Sequence, residues 1–350
     1  MRCEFPGSKQ DYKALLIADP QLIDNHTYPG RPEFLLKLSQ MTVDDYMRRN
    51  FQALMAHLRP DSVIFLGDMT DNGRSSSDEY YKHQLDRFNN IFHLNGTESY
   101  TLVPGNHDIG WAEGVKFAAL HRFETSFGKP NQVITRNGHD LIFLDTISLS
   151  NKEDETVSKD AREFLDSIAK EPKLRPRVLF GHVPLYRDPV TQTCGPNREG
   201  GTFPIVKGYQ YQTVVDSGLS KEILRLVRPD VIFAGDDHDY CEITHEYPTG
   251  KSVEVTVKSI SMAMGIKYPA VELLSIRDTV GEKGLQYSLC YIQPPFKDII
   301  TYVLFATVNG LWLLWSFRDR TCKYKVRLLP ALGYAAIEFV ALVIMYQIIK

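Results

Sequence analysis

Five short polar clusters in this 350-residue chain hold the side chains that could do chemistry. They are Asp19-Pro20-Gln21, Gly67-Asp68-Met69-Thr70-Asp71, Gly105-Asn106-His107-Asp108, Gly181-His182 and Gly235-Asp236-Asp237-His238. Each offers carboxylate, amide or imidazole donors just after a glycine or an apolar run, where the backbone can turn tightly and aim side chains inward. One such cluster would mean little, because Gly-Asp and Asn-His pairs are common and a lone His is usually a core or surface residue. Five in succession over about 220 residues point to a metal site. His26, His57, His83, His93, His121, His139 and His245 have no such setting and are expected to be structural.

Elements that could position these clusters are visible as apolar runs, each ending where a cluster begins. Such runs are 14–18, 63–66, 100–103, 141–144, 178–180 and 231–234. Amphipathic stretches at 43–58, 78–92, 115–127, 158–170 and 220–227 lie between them, so strand and helix alternate. That alternation signals an α/β layered domain with buried strands. Beyond residue 240 strands follow in succession, around 252–257, 271–276 and 286–292. Ligands of open α/β sheets collect beyond the carboxyl ends of strands, which is where every cluster falls.

In this order and spacing the clusters resemble the calcineurin-like metallophosphoesterases, over roughly residues 13–245. The resemblance implies two packed mixed β-sheets flanked by helices. It implies one cation held by Asp19, Gln21, Asp68 and His238, and a second by Asp68, Asn106, His182 and Asp236, with Asp68 bridging. His107 would donate a hydrogen bond or proton to the phosphate or leaving oxygen, oriented by Asp71, while a water activated by both cations attacks phosphorus. Asp71 and Asp108 could instead simply cap the helices or turns that follow their strands. Two departures from the common pattern stand out. Gln21 occupies a position that is His in most members, and Gly235-Asp236-Asp237-His238 replaces Gly-His-x-His. Together with Asp19–Leu22, His26–Arg31 and Cys194–Glu199, these look like the membrane-bound branch that trims ethanolamine phosphate from GPI-anchor glycans. Five of the seven ligands are oxygen donors, which favours Mn²⁺, with Zn²⁺ the alternative. The segment 186–211 reads as either an idle loop or a substrate cover, with Arg198, Tyr186 and Tyr209 as the candidate substrate contacts.

Composition agrees with a folded body: 43% hydrophobic and 24% charged residues exclude a disordered chain. Residues 298–350 carry six basic and three acidic side chains, leaving residues 1–297 at net −6, unsuited to nucleic acid. The expected division is a catalytic domain at 1–297 and two membrane spans, 299–317 and 328–349, joined by a basic turn at 318–327. Glu338 weakens the second span. A basic turn kept in the cytosol would place the body in the lumen of the endoplasmic reticulum or Golgi, in a multi-pass protein. No signal-peptide pattern opens the sequence, so a lumenal body needs an N-terminal anchor ahead of it or an earlier start. Sequons at Asn25 and Asn95 are compatible with that side, and Cys322 in the basic turn is a weak acylation candidate. Cys3, Cys194, Cys241 and Cys290 allow three pairings, or four buried thiols.

Expected partners are GPI-anchored proteins or GPI glycolipid as substrate, and membrane lipid. The alternatives are another membrane-tethered phosphoesterase acting on lipid, nucleotide or phosphoprotein, and a metal-binding scaffold without catalysis.

Overall fold

Apolar runs that end in polar clusters form the parallel strands, and the clusters become the turns at their carboxyl ends. The computed structural model describes residues 3–278, 284–316 and 332–337. It divides into two units, Met1–Pro294 and Pro295–Lys350. Strands of the first unit are β1 (Tyr12–Ile17), β2 (Ser62–Phe65), β3 (Glu98–Tyr100), β4 (Gln132–Arg136), β5 (His139–Phe143), β6 (Arg177–Phe180) and β7 (Lys207–Gly208). They continue with β8 (Tyr211–Gln212), β9 (Val231–Ala234), β10 (Cys241–Tyr247), β11 (Gly250–Thr256), β12 (Ala270–Ile276) and β13 (Leu285–Tyr291). Its helices are α1 (Glu33–Leu58), α2 (Asp78–Ile91), α3 (Asn106–Ile109), α4 (Phe117–Phe127), α5 (Thr146–Leu149), α6 (Glu155–Lys170) and α7 (Ser217–Val227).

Two mixed sheets result, in the orders β13-β12-β1-β2-β3 and β10-β11-β9-β6-β5-β4, with β7 and β8 as a small separate hairpin. β1, β2 and β3 run parallel, as do β5, β6, β9 and β11. β12 runs against β1 with Glu272 beside Leu16, and β13 runs against β12 with Tyr291 beside Ala270. β13 therefore ends at the same edge of the sheet as the carboxyl end of β1.

Side chains alternate along each strand, so one set fills the space between the sheets and the other faces the helices. The inner set includes Ala14, Leu16 and Ile64 of one sheet and Phe143, Phe180 and Phe233 of the other. Those three phenylalanines come from adjacent strands in register, with ring centroids 5.0 and 5.8 Å apart, and Tyr287 meets Phe233 edge-on at 5.7 Å. Phe180 lies two residues before His182 and Phe233 three before Asp236, so the aromatic ladder is the floor under two of the clusters.

Some elements depart from the periodicity. The third parallel strand pairs only through Glu98–Tyr100, three residues short of the end of the expected apolar run. Leu102 and Val103 stay buried without a ladder. α1 begins ten residues ahead of the expected 43, since its core-facing stripe starts at Val43 while its first turns carry a different apolar set. Disulfides join Cys3 to Cys290 and Cys194 to Cys241, one of the three pairings left open by the sequence.

The second unit contains α8 (Pro295–Ser316), long and apolar enough to cross a membrane. Of the second expected span, residues 332–337 are helical; the rest of it, Phe317, and the basic turn with Cys322 lie outside the described residues.

Phe233→Ala removes the ring that joins Phe180 to Tyr287 and should cost about 3–5 kcal/mol of stability, read from the urea midpoint.

Candidate active site

Five of the seven expected ligands hold left-handed backbone: Asp19 (φ 47°), Gln21 (35°), Asp68 (52°), Asp236 (67°) and His238 (66°). Non-glycine residues in this region cost about 1–3 kcal/mol each and persist only where neighbours over-determine them. Here the determinants are explicit. Gln21 N donates to Asp68 O (2.7 Å), Asp236 N to Asp19 Oδ1 (3.0 Å) and Ser259 N to His238 O (2.9 Å). Ser259 Oγ donates to Asp19 O at 2.8 Å. The three loops thus fix one another's strained backbones, and a Cβ on Gly105 would run into Asp68 Oδ1.

Around this frame the side chains converge. Asp19, Asp68 and His182 are buried, and each brings a ligand atom within 4.8 Å of the others. His182 Nδ1 donates to Leu66 O (2.7 Å), which fixes the ring and turns Nε2 inward, 3.3 Å from Asn106 Oδ1, 3.4 Å from Asp68 Oδ1 and 3.6 Å from Asp236 Oδ1. Gln21 Nε2 donates to Asp71 Oδ1 (2.9 Å), leaving Gln21 Oε1 buried without a partner, as is Asp19 Oδ2. Orphaned oxygens beside three carboxylates are the mark of a cation site.

A second cluster adjoins the first. Asp71 accepts from Thr27 Oγ1 (2.7 Å), Gln21 Nε2 (2.9 Å) and His26 Nδ1 (3.2 Å), and lies 3.2 Å from His107 Nδ1. His107 Nδ1 also donates to the Asp71 carbonyl at 2.6 Å. Its Nε2 then faces the Gln21 amide nitrogen (3.1 Å), as acceptor in the neutral ring and proton carrier in the charged one. Although His26, Asp71 and His107 could in principle chelate an ion, both Asp71 oxygens are already taken by donors, so this is a hydrogen-bonded cluster. Asp108 accepts from Gly105 N, Met69 N and Thr70 N at 3.0–3.3 Å, tying two loops together beyond a simple cap.

Charge crowding sets the protonation. Burial pushes Asp19 well above the usual carboxyl range, resisted by His182 and reinforced by Asp68, and pushes Asp236 up to about 7. Asp68 is likewise penalised by burial, yet His182 and His107 hold it below its ordinary value. Burial opposes charge on His107 and His182 too, but Asp68 raises both, His107 to about 9. Burial lowers His238 to about 4.

The loop residues expected to touch substrate are placed differently from one another. Arg198 is committed to Asp237, and Arg187 is fully buried against Glu254 (3.0 Å) and stacked on Phe203. Glu199 and Asp239 both accept from the buried Lys258 (2.8 and 2.6 Å), and the Cys194–Cys241 bridge closes the same segment. Tyr186 is exposed, and the expected contact Tyr209 is 91% exposed. The loop does reach the ligands, but through Gln210, whose carbonyl accepts from Asn106 Nδ2 at 3.2 Å. Sequence reasoning passed over His26, Thr27 and Gln210. The first two lie in the 26–31 segment singled out by resemblance, whereas nothing in sequence marks Gln210.

With this geometry in hand, residues 12–240 match the family model for calcineurin-like phosphoesterases. The chain belongs to that family. Like other calcineurin-like phosphoesterases it is a metal-dependent hydrolase, with the ligand-bearing turns at the carboxyl ends of its strands. Cell division control protein 1 of Saccharomyces cerevisiae is 41% identical over 317 residues, 86% of this chain. The aligned part spans 65% of that yeast protein, under two thirds of its length. Metallophosphoesterase 1 of Mus musculus is 26% identical over 89% of this chain and 82% of its own.

Above pH 6.5 the shifted histidines act in one direction on this phosphoesterase. An unfolded His titrates near about 6.5, whereas folded His107 keeps its proton to about 9, so stability falls as pH rises between those values. His182 adds to the same slope. Cation-free protein should therefore unfold at lower urea at pH 9 than at pH 6.5, and adding divalent cations at pH 9 should restore the midpoint.

Proposed function

We propose that this chain is a membrane-tethered dinuclear phosphodiesterase that removes ethanolamine phosphate from a mannose of GPI anchors. The observation that carries the membrane part is topological. β13 leaves the body at the edge of the sheet where Asp19 lies, and the apolar α8 follows within four residues of Tyr291. A catalytic body tethered to a bilayer meets lipid-borne substrate at high local concentration. Two disulfides and the exposed sequon residue Asn95 suit a lumenal body in the endoplasmic reticulum or Golgi, held by spans within 298–350. The GPI part rests on the resemblance of Gln21, Asp236, His26–Arg31 and Cys194–Glu199.

The donor set fits two cations, one held by Asp19, Gln21, Asp68 and His238, the other by Asp68, Asn106, His182 and Asp236. When bound, such cations supply Lewis acidity toward a phosphoryl oxygen and an acidified water. The protein's own residues do the rest. Leu66 O and Asn106 fix His182, Asp71 fixes the His107 ring through Nδ1, and His107 Nε2 gives its proton to the leaving oxygen. Asp71 stays ionised for this purpose: burial opposes the charge, but donors from His107, Thr27 and Gln21 hold its pKa below the usual range. Oxygen-rich donors favour Mn²⁺ as the working ion.

Two variants separate the roles. Asp68→Asn should lose bound metal and turnover together, while His107→Ala should keep both metals and lose roughly 10²- to 10⁴-fold in rate. Metal analysis beside an aryl phosphodiester assay in Mn²⁺ reads both, and an emptied site in His107→Ala would refute the assignment. Substrate is tested by mass spectrometry of GPI glycans from cells lacking the protein. Ethanolamine phosphate should accumulate on one mannose; no excess on any mannose leaves a phosphoesterase of another substrate.

A further inference from the structure

The first ten residues of α1 are built unlike the rest of that helix. None of residues 33–42 is buried, whereas Val43, Tyr46, Met47, Asn50, Phe51 and Leu54 line the core. Yet Phe34, Leu35, Leu38 and Met41 are 43–73% exposed. Phe34, Leu38 and Met41 share one side of the helix, and Val43 lies nine residues after Phe34, about half a turn away at about 100° per residue. The exposed stripe is thus a separate apolar face, pointing away from the body. The helix is 26 residues, about 39 Å long, and this end overhangs the carboxyl edge of the sheet because α1 starts after β1 and runs back to β2.

Two features connect this arm to the site and to the chain's exit from the body. Gln40 Nε2 donates to Ile23 O (3.1 Å) and Arg31 Nη1 to Ser39 Oγ (2.8 Å), so the segment carrying His26 and Thr27 is fastened along it. Farther along the helix, Tyr46 Oη donates to Gln293 O (2.6 Å) and Gln293 N to Asn50 Oδ1 (3.4 Å). The chain therefore leaves the body against α1, five to twelve residues from the stripe, or about 8–18 Å.

We propose that residues 33–42 form an amphipathic arm that lies in the headgroup–acyl boundary of the membrane and sets the metal site against a membrane-borne phosphodiester. The inference rests on the proposed membrane anchorage through α8. A strip about 15 Å by 10 Å, roughly 150 Å², is far below the roughly 800 Å² per partner of a stable protein interface. A bilayer imposes no such minimum, because tethering alone gives the body a high local concentration of membrane surface. Glu33 and Lys37 pair at 2.7 Å on the polar side, and the body is net negative, so apolar insertion and not charge would drive the contact.

The test uses the full chain with Cys322→Ser and Leu38→Cys, labelled with bimane and reconstituted in phosphatidylcholine vesicles. Leu174, exposed ahead of β6 and so at the opposite sheet edge, provides the control label as Leu174→Cys. Brominated phosphatidylcholine should quench position 38 at least about twofold more than position 174. Equal quenching in vesicle-bound protein overturns the arm alone. A blue-shifted label without bromine quenching also overturns it, by placing a protein surface on the stripe. Failure of the protein to float with vesicles overturns the anchorage reading and the arm with it. In parallel, Phe34→Ser/Leu38→Ser should lower hydrolysis of a nitrophenyl phosphodiester on a dialkyl anchor about tenfold, leaving soluble bis(nitrophenyl) phosphate hydrolysis unchanged. An equal fall on both substrates overturns the proposal.

Discussion

Two buried carboxylates, Asp19 and Asp68, and the half-buried Asp236 crowd around the His182 imidazole, and that concentration of like charge governs the molecule. Without compensation it is costly, since burial drives two of the carboxyls up and Asp68 escapes by drawing charge onto His182 and His107. The fold meets this cost with rigidity. Turns from β1, β2 and β9 bond one another's backbones, and five ligands accept left-handed geometry that isolated turns would not hold. Beneath them the stacked Phe143, Phe180 and Phe233 offer no room for the turns to relax.

Rigidity extends outward through charge pairs. Arg198 on Asp237, and Lys258 on Glu199 and Asp239, bind the long loop to the turn that carries Asp236 and His238. Arg198 therefore acts where a phosphate-binding arginine was expected, but on a carboxylate of its own chain. Tyr209 lies exposed beside the Gln210 that touches Asn106. Charge thus holds the loop and leaves an aromatic tip free.

Most of the fold was legible because each parallel strand ends in its cluster, and of the seven expected ligands Asp19, Asp68, Asn106, His182 and Asp236 gather around one point. Asp68 and His182 come from different sheets and meet because the two sheets pack face to face, which spacing could not reveal but the ordered clusters implied. Legibility failed where tertiary contacts decide. Periodicity located Val43–Leu58 from the core-facing side chains and was blind to an apolar face turned away from any core. Leu102 and Val103 have strand composition and are buried, yet lie beyond the β2–β3 ladder. Gln210 joins the site only because the loop folds back over more than a hundred residues of sequence, and Arg198 looked available because its partner Asp237 is chosen by the fold.

β1 has neighbours from opposite ends of the chain: β2 begins within fifty residues, whereas β12 arrives about 255 residues after it. During synthesis at roughly 5–20 residues per second, that edge of the central strand stays open for tens of seconds. An open hydrophobic edge is a template for pairing with other chains. Ribosomal order thus delays closure of the first sheet until just before the apolar helix is made, and until then β1 has only β2 and β3 to pack with.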